Sequence, residues 1–130
     1  MLIAVTRLRL RSARFLLPFL WYALRSARQA RGWPGNRGTR FRRSCGLRFW
    51  TVTAWQEEAA LNAYRVASPH REAMPRLLGW CDEAALAHWQ QENDTLPTWE
   101  EAAARLRAGG RLSKVQCPSP DQRAGRIVAT

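Results

Sequence analysis

The run Leu47 to Trp55, Leu-Arg-Phe-Trp-Thr-Val-Thr-Ala-Trp, is dense in aromatic and β-branched side chains, which fit a pleated strand and lose rotamer freedom against the turns of a helix. Cys45-Gly46 before it reads as a turn, and Gly38 to Ser44 as a further strand, so the two pair as a hairpin. At the start of the chain, Ala4, Thr6, Leu8 and Leu10 alternate with Val5, Arg7, Arg9 and Arg11, the pattern of a strand with one wet face. Between these strands, Leu16, Leu20, Ala23, Leu24 and Ala27 recur at helical spacing, with Arg14, Arg25, Arg28 and Arg31 on the remaining surface. A helix opening near Ser12 keeps Pro18 within its first two turns, and Gly32-Trp33-Pro34-Gly35-Asn36 ends it.

Beyond Trp55 the segment Gln56 to Ala67 is Ala-rich, with Leu61 and Tyr64 three apart and Glu57 and Glu58 at the positive end of the helix dipole. Ser68-Pro69 opens a second helical piece, Ser68 as cap and Pro69 as first helical residue; Pro75 is expected to kink or restart it and Gly79 to close it. Glu83 to Gln91 alternates as a fourth strand, Ala85, Ala87 and Trp89 on one face and Leu86, His88 and Gln90 on the other. Thr98-Trp99-Glu100-Glu101 is a capping box for a short helix that stops at Gly109-Gly110, and Leu112 to Cys117 reads as a last short strand.

The order β-α-β-β-α-β predicts an α+β chain with a ferredoxin-like antiparallel sheet. Its helices cover one face and leave the other bare, and a second copy closing that face gives a homodimer, a dimeric α+β barrel. The domain spans residues 1–117, and residues 118–130, with no periodic pattern, read as a flexible C-terminal tail.

Charge narrows the function classes. The 130 residues carry 21 basic and 10 acidic side chains, a net of +11, and no Asp or Glu precedes Glu57. Such a field attracts polyanions weakly, yet no zinc spacing, ribonucleoprotein motif or helix-turn-helix pattern accompanies it, so specific nucleic-acid binding is not expected. Nearly all the basic residues are Arg, with Lys114 the one exception, and the strand alternation at 4–11 argues against a cleaved Arg-rich presequence. The longest apolar run, Phe15 to Leu24, contains Pro18 and is about half of what a membrane-spanning helix needs. Neither a span nor a signal peptide is expected, and the chain reads as cytoplasmic. Cys45, Cys81 and Cys117 form no C-x-x-C pair, so neither a disulfide framework nor a metal site is expected.

The run Phe49-Trp50-Thr51-Val52-Thr53-Ala54-Trp55-Gln56-Glu57-Glu58-Ala59-Ala60-Leu61-Asn62-Ala63-Tyr64, followed by Ser68-Pro69-His70-Arg71-Glu72-Ala73-Met74, resembles the antibiotic biosynthesis monooxygenase-like domains of the dimeric α+β barrel superfamily. It looks most like bacterial members without an established substrate, and the resemblance covers Ile3 to about Cys117. It implies a homodimer with a pocket between each sheet and its second helix, and oxygenation of a phenolic substrate without metal, flavin or other cofactor. The superfamily also includes haem-degrading enzymes, which pair an Asn on the first strand with a Trp and, ten residues on, a His. Here residues 3–9 hold no Asn, Tyr64 stands where the Trp would fall and Met74 where the His would, so haem degradation is not expected.

Within that frame His70 is the candidate catalytic group, a neutral imidazole at a helix start able to accept a proton or hydrogen bond from a phenol. The structural alternative is that it caps its helix or packs against Tyr64 and Met74. Trp55 and Tyr64 are candidate walls for a small aromatic ligand, with Met74 and His88 completing the substrate-binding set; His88 faces either the cavity or solvent. Trp50 and Trp55 lie on opposite strand faces, so at most one lines a pocket. Arg40, Arg42 and Arg43 either bind an anionic ligand or guard a strand edge. Two functions remain open: a monooxygenase-like enzyme, or a non-catalytic dimeric ligand-binding or regulatory protein, the latter favoured by the absence of a paired acid and base.

Overall fold

A computed structural model describes all of residues 1–130. The elements are β1 (Leu2–Leu10), a 3-10 turn (Ala13–Phe15), α1 (Leu16–Arg31), β2 (Asn36–Arg43), β3 (Arg48–Trp55), α2 (Glu58–Arg65), α3 (His70–Trp80), β4 (Cys81–Gln90), α4 (Trp99–Gly109), β5 (Arg111–Leu112) and α5 (Pro120–Arg123). The strands form one sheet in the order β2-β3-β1-β4-β5, every neighbouring pair antiparallel, so the chain is α+β with ferredoxin-like connections. The β2–β3 hairpin turns through Gly46 at φ 58°, which favours glycine. No helix is long and apolar enough to cross a membrane.

The pleat sorts side chains onto two faces. Thr6 on β1 lies between Thr51 on β3 and Leu86 on β4, and this face, with Ala4, Leu8, Phe49 and Thr53, looks toward α1, α2 and α3. Phe19, Ala27 and Ala30 of α1 are buried against it, while Leu17, Trp21 and Leu24 face outward and are exposed.

The opposite face, expected to be bare until a second copy covered it, is covered by the chain itself. Ala102 and Leu106 of α4 are fully buried in one cluster with Ile3, Val5, Trp50, Val52, Ala85 and Ala87, and Ile127 and Ala129 pack against the same cluster. Thr98 caps α4 as its sequence predicts, its Oγ1 accepting from Glu101 N at 3.1 Å. The wet face read for β1 is dry over its first half, Val5 being 0% and Arg7 1% exposed, while Arg11 is exposed. Arg7 tolerates burial because its Nη1 donates to Glu83 at 2.8 Å and its Nε donates to the Thr130 carbonyl at 3.1 Å. Ser119 Oγ donates to Glu83 at 2.8 Å, and Gln122 bonds to Ala84 and Ser113, so residues 118–130, read as a tail, take a definite path along the sheet.

Two local expectations at α3 also change. Ser68 does not cap it; Pro69 holds the cap position, and the first helical N–H, that of His70, donates instead to Gln29 Oε1 at 2.9 Å. Pro75 does not divide it: α3 runs from His70 to Trp80, past Gly79. The carbonyl that Pro75 leaves without a helical partner is that of Arg71, an exposed residue.

Candidate ligand cavity

Between the sheet and the helical layer lies a cavity of about 140 Å³. Its floor is Thr6, Thr51 and Thr53, its α1 wall Phe19, Ala23, Ser26 and Ala27, and its far side Tyr64, His70, Met74 and Leu77 from α2 and α3. An apolar cavity of about 150 Å³ is enough to hold a benzene ring. The helical spacing of residues 70, 74 and 77 puts one stripe of α3 against it.

His70 is half-buried at the head of α3, its ring 4.7 Å from that of Tyr64. Its Nδ1 is 3.2 Å from the Arg65 carbonyl, which can only accept, so in the neutral ring Nδ1 carries the proton and Nε2 is the bare acceptor. Nε2 has no protein partner. Burial holds the pKa below that of a free histidine; the hydrogen bond to Arg65 opposes this and the Arg65 charge adds to it. Burial thus favours the neutral ring.

Tyr64 is buried and its hydroxyl donates to the Ser26 carbonyl at 2.9 Å, so it presents a ring face to the cavity and no free donor. Burial also raises its pKa well above the ordinary tyrosine range. Met74 lines the cavity beside His70. His88, on β4, lines the mouth and is exposed; burial of part of its ring and the nearby Arg65 and Arg111 charges lower its pKa, against a smaller opposing effect of Glu58.

Trp55 does not line the cavity. It is fully buried behind Tyr64, ring centroids 5.1 Å apart, and its Nε1 donates to Thr53 Oγ1 at 2.8 Å. At the end of β3 its indole packs with Leu2, Ala30 and Leu61, so it supports the Tyr64 ring from behind. Trp50 is on the opposite face under α4, and neither tryptophan of β3 touches the cavity. Arg40 and Arg42 lie away from it too, stacked over Trp99 at 5.1 and 4.8 Å.

Ser26 and Arg65 are among the cavity residues that the sequence does not single out. Ser26 interrupts the small-residue stripe of α1, and its Oγ is buried with no partner. Arg65 is four residues after the buried Leu61, hence on the same side of α2, and it lines the mouth while exposed.

Residues 24–113 match the model of DUF3291, a domain of unknown function. Several solved structures share the fold. One is a candidate antibiotic biosynthesis monooxygenase from Nitrosomonas europaea, with a TM-score of 0.64 and 14% identity, the match covering 72% of this chain and all of that one. A second candidate of the same description, from Deinococcus radiodurans, has a TM-score of 0.65 at 14% identity, covering 72% of this chain and 94% of that one. SnoaB, a cofactor-independent oxygenase from Streptomyces nogalater, in a mutant form, has a TM-score of 0.60 at 15% identity over 75% of this chain and 97% of its own. At these identities the likeness shows the fold. A search of curated protein sequences finds no match.

Proposed function

The chain belongs to the DUF3291 family of domains of unknown function, and from that membership and its monooxygenase-type fold we propose a monooxygenase-like protein that binds a small aromatic or phenolic molecule in the cavity and works without a cofactor. The observation that carries this reading is the pairing of a ring-sized apolar cavity with one neutral imidazole whose Nε2 has no protein partner. A phenol lying between Phe19 and Met74 donates its hydroxyl to Nε2. Transfer of that proton leaves an electron-rich phenolate, whose ring carbons carry the carbanion character that the resemblance implies reacts with oxygen, and the imidazolium formed keeps its Nδ1–H on the Arg65 carbonyl. Tyr64, held by Ser26 and backed by Trp55, fixes the plane of the His70 ring.

The residues of one chain already enclose a ring-sized space. The homodimer implied by the resemblance would also find the α4 face already filled, Trp50 and Val52 being 2% and 1% exposed. The reading therefore takes the single chain as the unit that holds the ligand.

The test is calorimetric titration of the full chain with single-ring phenols, alongside oxygen uptake by the protein and its His70→Ala variant. Binding with uptake that depends on His70 supports the proposal. Binding without uptake leaves the non-catalytic ligand-binding protein, and no binding of any single-ring compound refutes both.

A further inference from the structure

The polar groups around the cavity are arranged by charge. Among its lining residues there is no Asp or Glu, and the single permanently charged one is Arg65. The ion pairs of the protein are Arg7–Glu83, Arg9–Asp82, Arg9–Glu83 and Arg126–Asp121, so the Arg65 guanidinium is committed to no carboxylate. It stands at the exposed mouth with His88, and the Arg111 charge acts on His88 as well. Glu58 is the one acidic group acting on His88, and its effect is smaller than that of either arginine. The mouth thus carries one permanent cation, Arg65, with no carboxylate partner, beside an apolar opening.

The imidazole side differs. Ser26 Oγ is buried without a partner and presents no accessible surface to a ligand, which leaves His70 as the polar group here. His70 Nε2 offers an acceptor on the same cavity. The two groups require different ligand partners: a hydroxyl for the imidazole acceptor and an anion for the guanidinium. A guanidinium recognises a carboxylate through two parallel N–H donors, a geometry that neither an alcohol nor an amine satisfies.

We propose that the cavity selects a monocyclic hydroxyaromatic carboxylate, its ring hydroxyl at His70 and its carboxylate at the mouth on Arg65 and His88. This rests on the reading of the cavity as an aromatic-ligand site and adds the charge and polarity of the ligand to it. Arg65 is then a specificity-determining residue.

The experiment compares benzoate, 4-hydroxybenzoate, benzyl alcohol and benzylamine by calorimetric titration into the full chain at fixed ionic strength. Benzoate should bind about tenfold or more tightly than benzyl alcohol, as a charge-assisted hydrogen bond gives, with 4-hydroxybenzoate tighter still and benzylamine weakest. Arg65→Gln should collapse the benzoate preference toward unity. Arg25→Gln, which removes an equal charge from the outer surface of α1, should leave it intact and so separates local recognition from the general field of a +11 chain. Equal affinity for all four compounds, or a benzoate preference that survives Arg65→Gln, overturns the charge selection while aromatic binding stands. Failure of all four to bind overturns the aromatic site and the selection together.

Discussion

Leu106→Ala tests whether α4 is a structural cover for the sheet. Leu106 is fully buried on α4 against Trp50, Val52 and Ala85. The substitution deletes three carbons, a transfer loss of about 2.4 kcal/mol at about 0.8 kcal/mol each. The space left behind adds to this, and buried Leu→Ala changes span about 2.7–5.0 kcal/mol. A loss of about 3 kcal/mol is expected. With an unfolding entropy of about 2.1 cal/mol/K per residue over 130 residues, that lowers Tm by about 11 °C. Urea denaturation followed by tryptophan fluorescence measures it, with Leu24→Ala on the exposed side of α1 as a control expected within about 0.5 kcal/mol of the parent. A loss below about 1 kcal/mol for Leu106→Ala would refute the packing of α4 on this face.

Acidification should destabilise the protein through its histidines. His70 and His88 both have folded pKa values below the free value of 6.5, so the stability tied to their neutral forms is present above 6.5 and is lost as pH falls through the folded values. Denaturation midpoints should drop between pH 7.5 and 5.5 and drop less in His70→Asn; a flat or rising profile contradicts the burial of the ring. Glu83→Ala strands the buried Arg7 and should cost about 3–5 kcal/mol, whereas replacing both partners by apolar residues should cost much less, a contrast read by denaturant titration. Ala23→Leu extends three carbons into the cavity and should abolish single-ring binding while changing stability by less than about 1.5 kcal/mol; undiminished binding would place the ligand elsewhere.

What the sequence disclosed was whatever repeats locally. The β1 strand, the aromatic hairpin, the helix α1 and the Thr98 cap all form where their spacing put them, because each needs only neighbouring residues, although Leu24 of the α1 stripe faces outward. His70, Tyr64, Met74 and His88 surround one cavity for the same reason: strand and helix periods fix which way each side chain points. What stayed hidden depends on distant partners. Arg7 reads as a solvent residue until Glu83, 76 positions away, is brought beside it. Ser68 is a better cap by type than Gln29, yet α1 delivers the Gln29 amide oxygen to the head of α3. The cover on the second face was missed because Ala102 and Leu106 make too slender an apolar stripe to announce a docking helix. Trp55 was misplaced by a subtler effect, since it shares the cavity face but Tyr64 stands in front of it.

On the reading that a single chain holds the ligand, mixtures of intact and cavity-blocked chains should neither rescue nor poison one another. Uptake per molecule should stay constant over a wide dilution series, and the signal of a blend should track the fraction of unblocked molecules in a straight line.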